Sequence, residues 1–152
     1  MAPSCFNNQP WRYVFAHNPE VLKELHPALA KGNKWAHFAS MIIAVFSKPD
    51  YDCIIRDREY YLFDTGMATA FLILRATELG LVAHPIAGYS EKKVKQILEI
   101  PEDMKVITLV IVGKHSETIS DVLSEKHIEA ERTRPERFPF EKIAYIDRYT
   151  GE

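Results

Sequence analysis

Asp64-Thr-Gly-Met-Ala-Thr-Ala-Phe-Leu-Ile-Leu-Arg-Ala-Thr-Glu-Leu-Gly-Leu81 is the stretch on which the fold turns. It forms most of the longest helical candidate, residues 57 to 79. Between Gly66 and Leu79 only Arg75 and Glu78 are charged. A helix apolar over most of its circumference belongs in the middle of a fold, not on its surface. Gly80 stands where a left-handed residue would end it. The longest uncharged apolar stretch, Thr65 to Leu74, is about half the ~20 residues of a membrane span.

Two continuous apolar runs flank this helix in sequence. Met41 to Phe46 is closed by Ser47-Lys48-Pro49, and Val106 to Val112 is ended by Gly113. Both read as strands buried on two faces. Trp11 to Ala16, aromatic and β-branched, predicts a further strand. Asn18-Pro19 predicts a helix start, with Val21, Leu22 and Leu25 on its inner face and Pro27 ending it. Gly32-Asn33 breaks the chain. Residues 83 to 90 read as loop. Ser90 caps a short helix carrying Val94, Ile97 and Leu98, which Ile100-Pro101 stops. Asp121 to Glu131 predicts one more helix, and Ile143 to Ile146 is strand-like. This order of strands and helices predicts α/β or α+β in one layered domain. No linker divides residues 1–152.

Composition removes several function classes. The chain has 152 residues, 19 basic and 21 acidic, for a net charge of -2. The hydrophobic fraction of 47% is that of an ordinary globular protein. The N-terminus has neither a basic nor an apolar region of a signal peptide. From Glu129 to Arg148 five basic residues are balanced by five acidic ones, so no basic stripe is offered to nucleic acid. Cys5 and Cys53 are too few for a disulfide framework and lack C-x-x-C spacing. A reducing, cytoplasmic setting is the simplest reading. The six histidines are scattered outside any metal-ligand pattern, so no metal is expected. No G-x-S-x-G nucleophile and no Gly-rich phosphate loop is present. Cys5 reads as incidental, and Asp64 reads as a helix-start residue favoured by the dipole rather than a catalytic acid. Tyr60, Tyr61 and Phe63 are core or pocket residues.

Pro3-Ser-Cys-Phe-Asn-Asn-Gln-Pro-Trp11 stands apart. Ser4, Asn7, Asn8 and Gln9 lie in a loop that feeds a strand. Their amides offer donors and acceptors together, which suits a ligand edge of alternating carbonyls and N–H groups, such as the pyrimidine side of a flavin. Equally, such side chains satisfy the backbone of their own turn.

Pro-Ser-x-x-Asn-x-Gln-Pro-Trp-Arg before a strand resembles the FMN-binding segment of the nitroreductase family of flavin-dependent oxidoreductases. Asp64-Thr-Gly66-Met-Ala68, running on to Leu79-Gly80-Leu81, is similar to that family's long central helix. Pro85-Ile86-Ala87-Gly88-Tyr89, a short helix, Ile100-Pro101-Glu102 and the strand from Val106 to Gly113 make a third match. The resemblance covers nearly the whole chain. It implies an α+β fold, a mixed sheet flanked by helices, and an intertwined homodimer with one FMN at each interface. It further implies two-electron transfer from NADH or NADPH through the flavin to a nitroaromatic, quinone or similar small acceptor.

The implied cofactor residues are Pro3, Ser4, Asn7 and Gln9 on the ribityl chain and ring. Pro85, Ile86, Ala87 and Gly88 would face the other side of the ring, with a backbone N–H directed towards flavin N5. Asn33 and Lys34 lie near the pyrimidine-edge pair, and Arg137 matches a phosphate-binding basic residue, unless it pairs with Glu136 and Glu141. Many relatives carry Glu where this chain has Ala87. No catalytic side chain is implied, because the flavin carries the chemistry. Relatives usually begin with a helical segment whose arginines hold the FMN phosphate, and this chain starts inside the next motif. Two lost charge-assisted hydrogen bonds at about 1.5–3 kcal/mol each would weaken FMN by ~10²–10⁴-fold, unless Arg12, Arg132 or Arg134 substitutes. The other reading is a family member that has lost FMN and serves as a binding or assembly module.

Overall fold

A computed structural model describes residues 2–133 and 135–151. The two apolar runs become β2 (Met41–Ser47) and β6 (Lys105–Gly113), the central pair of a four-stranded sheet. The first strand, β1 (Arg12–Ala16), borders β2, and β5 (Val82–Ile86) borders β6, giving the order β1-β2-β6-β5. Residues 83 to 86 are therefore strand where the sequence predicts loop. Val82 pairs with Gly113 and Ile86 with Leu109. Pro85 is tolerated there because β5 is an edge strand, where one N–H need not join a ladder. The sheet expected as mixed is antiparallel throughout the described residues.

Side chains alternate across the sheet, so each buried strand feeds two cores. Ile42, Ala44, Phe46, Leu109 and Ile111 join Leu25 and Val94 on one face. Those two come from α1 (Pro19–Leu25) and α3 (Glu91–Leu98). Ile43, Val45, Val110 and Val112 form the other core, against Leu72 and Ile73. Leu72 and Ile73 belong to α2 (Tyr60–Glu78), the long helix. Gly80, at φ 75°, turns the chain out of α2 as expected. A two-residue hairpin, β3 (Ile54–Ile55) and β4 (Arg58–Glu59), precedes it.

The caps hold where the sequence places them. Asn18 Oδ1 accepts from the Glu20 N–H at 2.8 Å, and Ser90 Oγ caps α3. Residues 31–38 form 3₁₀ turns rather than a simple break. The last helix, α4, is shorter than expected, at Glu125–Arg132. Residues 143–146 form no strand; a 3₁₀ turn at Phe140–Lys142 precedes them. Nothing among the described residues pairs with that segment, and Ile143 and Ile146 stay exposed. No helix of the described residues is long and apolar enough to cross a membrane.

Candidate flavin site and family

The sheet topology decides where the motif loops stand. β1 starts, β2 ends and β6 starts at one end of the sheet, and β5 runs towards that end but stops at Ile86, opposite Leu109 in the middle of β6. Residues 4–10, which lead into β1, and residues 87–90, which follow β5, therefore both lie towards that end. They lie on opposite edges, at least three strand spacings or about 14 Å apart.

The first loop is bent tightly. Phe6, Asn7 and Gln9 have φ of 46°, 58° and 49°, left-handed conformations that cost about 1–3 kcal/mol each for residues with a side chain. Local bonds brace the bend: Gln9 N–H donates to Ser4 Oγ at 3.0 Å, and Gln9 Nε2 donates to the Asn7 carbonyl at 3.2 Å. Arg12 Nη1 donates to the Gln9 and Trp11 carbonyls. Its guanidinium lies 4.7 Å over the Tyr51 ring, so Arg12 braces the loop. Ser47 Oγ donates to the buried Pro10 carbonyl.

The decisive ties reach further. Cys5 and Cys53 form a disulfide across 48 residues. The expectation of an incidental Cys5 is thus corrected: tertiary folding brings the two Cα atoms to 6.2 Å, a proximity that local spacing does not encode. The Cys5 N–H donates to Asp64 Oδ2 at 2.6 Å. Asn8 Nδ2 donates to Asp52 Oδ1 and towards Cys53 Sγ. Asp64 is buried at 2% exposure, one turn inside α2. It is not the first-turn dipole residue the sequence suggested but an anchor for the loop. Burial lifts its carboxyl above the usual range, the Cys5 amide opposes that, and the neighbouring Asp52 carboxyl adds to it. Asp52 Oδ2 is itself buried with no hydrogen-bond partner among the described residues. Cys5, Asp52 and Cys53 place potential metal-ligand atoms within 4.8 Å of one another, but both sulfurs are consumed in the disulfide.

The second loop is held by backbone. The Ala30 N–H and Asn33 Nδ2 both donate to the Gly88 carbonyl at 2.9 Å. The Ser90 N–H donates to the Ala28 carbonyl at 2.7 Å. The Tyr89 hydroxyl donates to the Val106 carbonyl at 2.9 Å. Burial first, then Glu91, pushes that hydroxyl up to about 12, so it remains a donor across the physiological range. A Cβ on Gly88 would lie 2.6 Å from Asn33 Nδ2 and 3.3 Å from Ala30 Cβ. A side chain there would have to push the Asn33 amide off the Gly88 carbonyl. Among the described residues the Ala87 and Gly88 N–H groups donate in no hydrogen bond.

The structure thus groups the expected residues into two sets. Ser4, Asn7 and Gln9 meet one another, beside the exposed Pro3. Asn33 meets the segment Pro85, Ile86, Ala87, Gly88. Lys34 is exposed next to Asn33. Arg137 is exposed in the C-terminal arm and pairs with neither Glu136 nor Glu141 among the described residues. Arg134 lies outside the described residues. Tyr61 is core, whereas Phe63 is exposed and meets Tyr60 edge-on. Behind Asn33 a cavity of about 810 Å³ runs along Trp35, His84 and His127. Sequence reasoning missed Asp52 and Cys53. The one available signal was that the chain holds two cysteines and no others.

Known proteins resemble this chain in sequence and fold. A protein of Archaeoglobus fulgidus named as a putative NADH dehydrogenase/NAD(P)H nitroreductase is 27% identical, over 74% of this chain and 66% of its own. An uncharacterized 15.4 kDa protein of Mycolicibacterium smegmatis is 31% identical, over 86% of this chain and 85% of its own. A crystal structure of an oxidoreductase containing FMN superposes with a TM-score of 0.78 at 32% identity, covering 100% of this chain and 78% of that one. A nitroreductase family protein from Clostridium novyi NT superposes with a TM-score of 0.71 at 25% identity, over 77% and 68%. The sequence profile of the nitroreductase family matches residues 31–114, from the Asn33 segment through β6. On that match, and on the fold that carries it, the chain belongs to the nitroreductase family.

Proposed function

We propose that the protein is an FMN-dependent oxidoreductase that passes two electrons from NADH or NADPH to a small acceptor such as a quinone or nitroaromatic, as a cytoplasmic homodimer. The observation that carries this reading is the placement of the two motif loops at one end of the sheet, each presenting unspent polar groups. FMN, when bound, supplies the two-electron chemistry, and the protein supplies position and electrostatics. The residues present fit that cofactor. Asn7 and Gln9 carry exposed amides suited to a ring edge or a ribityl hydroxyl, and Ser4 holds their loop. The N–H groups of Ala87 and Gly88 have no acceptor among the described residues, and the Gly88 cradle lets the backbone come close. Lys34 and Arg137 are cations with no ion-pair partner among the described residues, suited to an anionic phosphate. Pro3, Pro85 and Ile86 shape the two walls.

The wide separation of the loops within one chain favours a site completed by a second copy. So does exposed apolar surface: Phe63, Phe71 and Leu74 on α2, Leu79 just beyond it, and Phe138, Phe140 and Ile146 on the C-terminal arm. Apolar patches of this kind mark association surfaces. Light scattering on the purified protein should give twice the mass of the chain. Flavin-loaded protein should oxidise NADH or NADPH when a quinone is present. Absence of turnover with either donor and with both acceptor classes contradicts the enzyme reading. A folded dimer that binds no FMN supports a binding or assembly role instead.

A further inference from the structure

We infer that the Cys5–Cys53 disulfide is a reversible redox modification site that locks residues 4–10 in their ligand-ready shape. This rests on the reading of that loop as a flavin loop. Several observations converge there. The disulfide joins the loop to the segment entering β3, and both cysteines are only half-buried, within reach of a small thiol. Cys5 directly precedes Phe6 and Asn7, and Gln9 follows, all three with left-handed backbones. Neither a strand ladder nor an α-helix holds these residues. Apart from the Ser47 bond to Pro10, the long-range hydrogen bonds of residues 4–10 run to Asp52, Cys53 and Asp64. The disulfide sits in the middle of that cluster. Disulfides that solvent can reach are the labile, regulatory ones, whereas deeply buried ones resist reduction.

The step is a thiol–disulfide exchange with a dithiol reductant. A thiolate of the dithiol attacks one sulfur of the disulfide and displaces the other as a thiolate, forming a mixed disulfide. The second thiol of the reductant then attacks the mixed disulfide. Cys5 and Cys53 end as two thiols, having gained two electrons and two protons, and the reductant ends as its own disulfide. With the link gone, Phe6, Asn7 and Gln9 can leave their left-handed conformations. FMN then meets a loop that is ligand-ready only part of the time, and its apparent dissociation constant rises in proportion. If about a tenth of the loop population remains competent, affinity falls about tenfold.

The test uses the full chain, oxidised with glutathione disulfide or reduced with dithiothreitol that is then removed anaerobically. Thiols are counted by alkylation and mass spectrometry, hydrogen exchange is followed at residues 4–10, and FMN is titrated by fluorescence. The expected result is two thiols freed on reduction, faster exchange in the loop and a dissociation constant about tenfold higher. Cys53→Ser should match the reduced protein whether or not dithiothreitol has been present. Failure of glutathione disulfide to form the link overturns the inference. Unchanged loop exchange on reduction overturns it too, as does equal FMN affinity in both states, which leaves the flavin reading intact. FMN binding in neither state refutes the flavin reading; the switch then stands or falls on loop exchange alone.

Discussion

The loops at 4–10 and 87–90 stand at the same end of one sheet and are held by opposite means. Residues 87–90 are fixed by backbone hydrogen bonds to Ala28 and Ala30, by the Asn33 amide and by one tyrosine hydroxyl. Residues 4–10 are fixed by a disulfide and by carboxylates that come from 44 to 59 residues away. The first arrangement follows from strand pairing and resists chemistry. The second depends on covalent and ionisation states and can be altered by both. A site with one rigid wall and one adjustable wall can be regulated without disturbing its scaffold.

The largest expected effect comes from cutting the covalent tie. Cys53→Ser removes a link that closes a loop of 48 residues, which chain-entropy reasoning values at about 4 kcal/mol. Urea unfolding of oxidised wild-type and variant protein measures it, and adding dithiothreitol should bring the wild type down to the variant. Asp64→Ala comes next. It leaves the Cys5 amide without its acceptor, at about 1–3 kcal/mol, and hydrogen exchange at residues 5–8 should accelerate while residues 87–90 stay protected. Gly88→Ala probes the other wall. Its Cβ must displace the Asn33 amide, and strain of this kind costs about 1–3 kcal/mol. FMN titration should show weaker binding with the disulfide intact. Tyr89→Phe removes one buried hydroxyl bond, worth about 0.5–1.5 kcal/mol, readable as a small shift in urea midpoint.

The smallest effect is a pH dependence on the rigid side. His26 begins the turn that leads to Ala30, and burial, then His37 stacked at 3.9 Å, then Lys23, hold its pKa below the ordinary 6.5. The unfolded chain therefore binds more protons than the folded chain just below that value. The stability tied to neutral His26 is full above about pH 6.5 and declines as pH falls towards the folded pKa. Urea midpoints from pH 7.5 to 5.5 should fall less steeply in His37→Gln, which removes one of the charges opposing protonation.

What the sequence revealed follows the range of the forces involved. The strands β2 and β6 were legible because apolar runs report burial directly, and α2 because a long apolar stretch closed by Gly80 reads as one helix; the central position expected for it is corrected, since within one chain it packs on a single sheet face and leaves Phe63, Phe71 and Leu74 exposed. The caps at Asn18 and Ser90 were legible because capping is local. The strand β5 was not, since Pro85 and Gly88 are turn signals that an edge strand and the bend after it absorb. The strand expected at 143–146 has no partner among the described residues, and residue propensity alone does not make a ladder. The motif residues at 3–9 were recognised as a pattern. What holds them was hidden, because Asp52, Cys53 and Asp64 reach residues 5 and 8 only once the sheet and α2 are in place.

The most direct test of the two-walled site is a stoichiometric titration of the oxidised protein with FMN, followed by gel filtration and a visible spectrum of the protein peak. The account predicts a retained flavin band approaching one FMN per chain, weakened in Gly88→Ala and in reduced protein. A folded protein whose peak carries no flavin at any FMN concentration would contradict it.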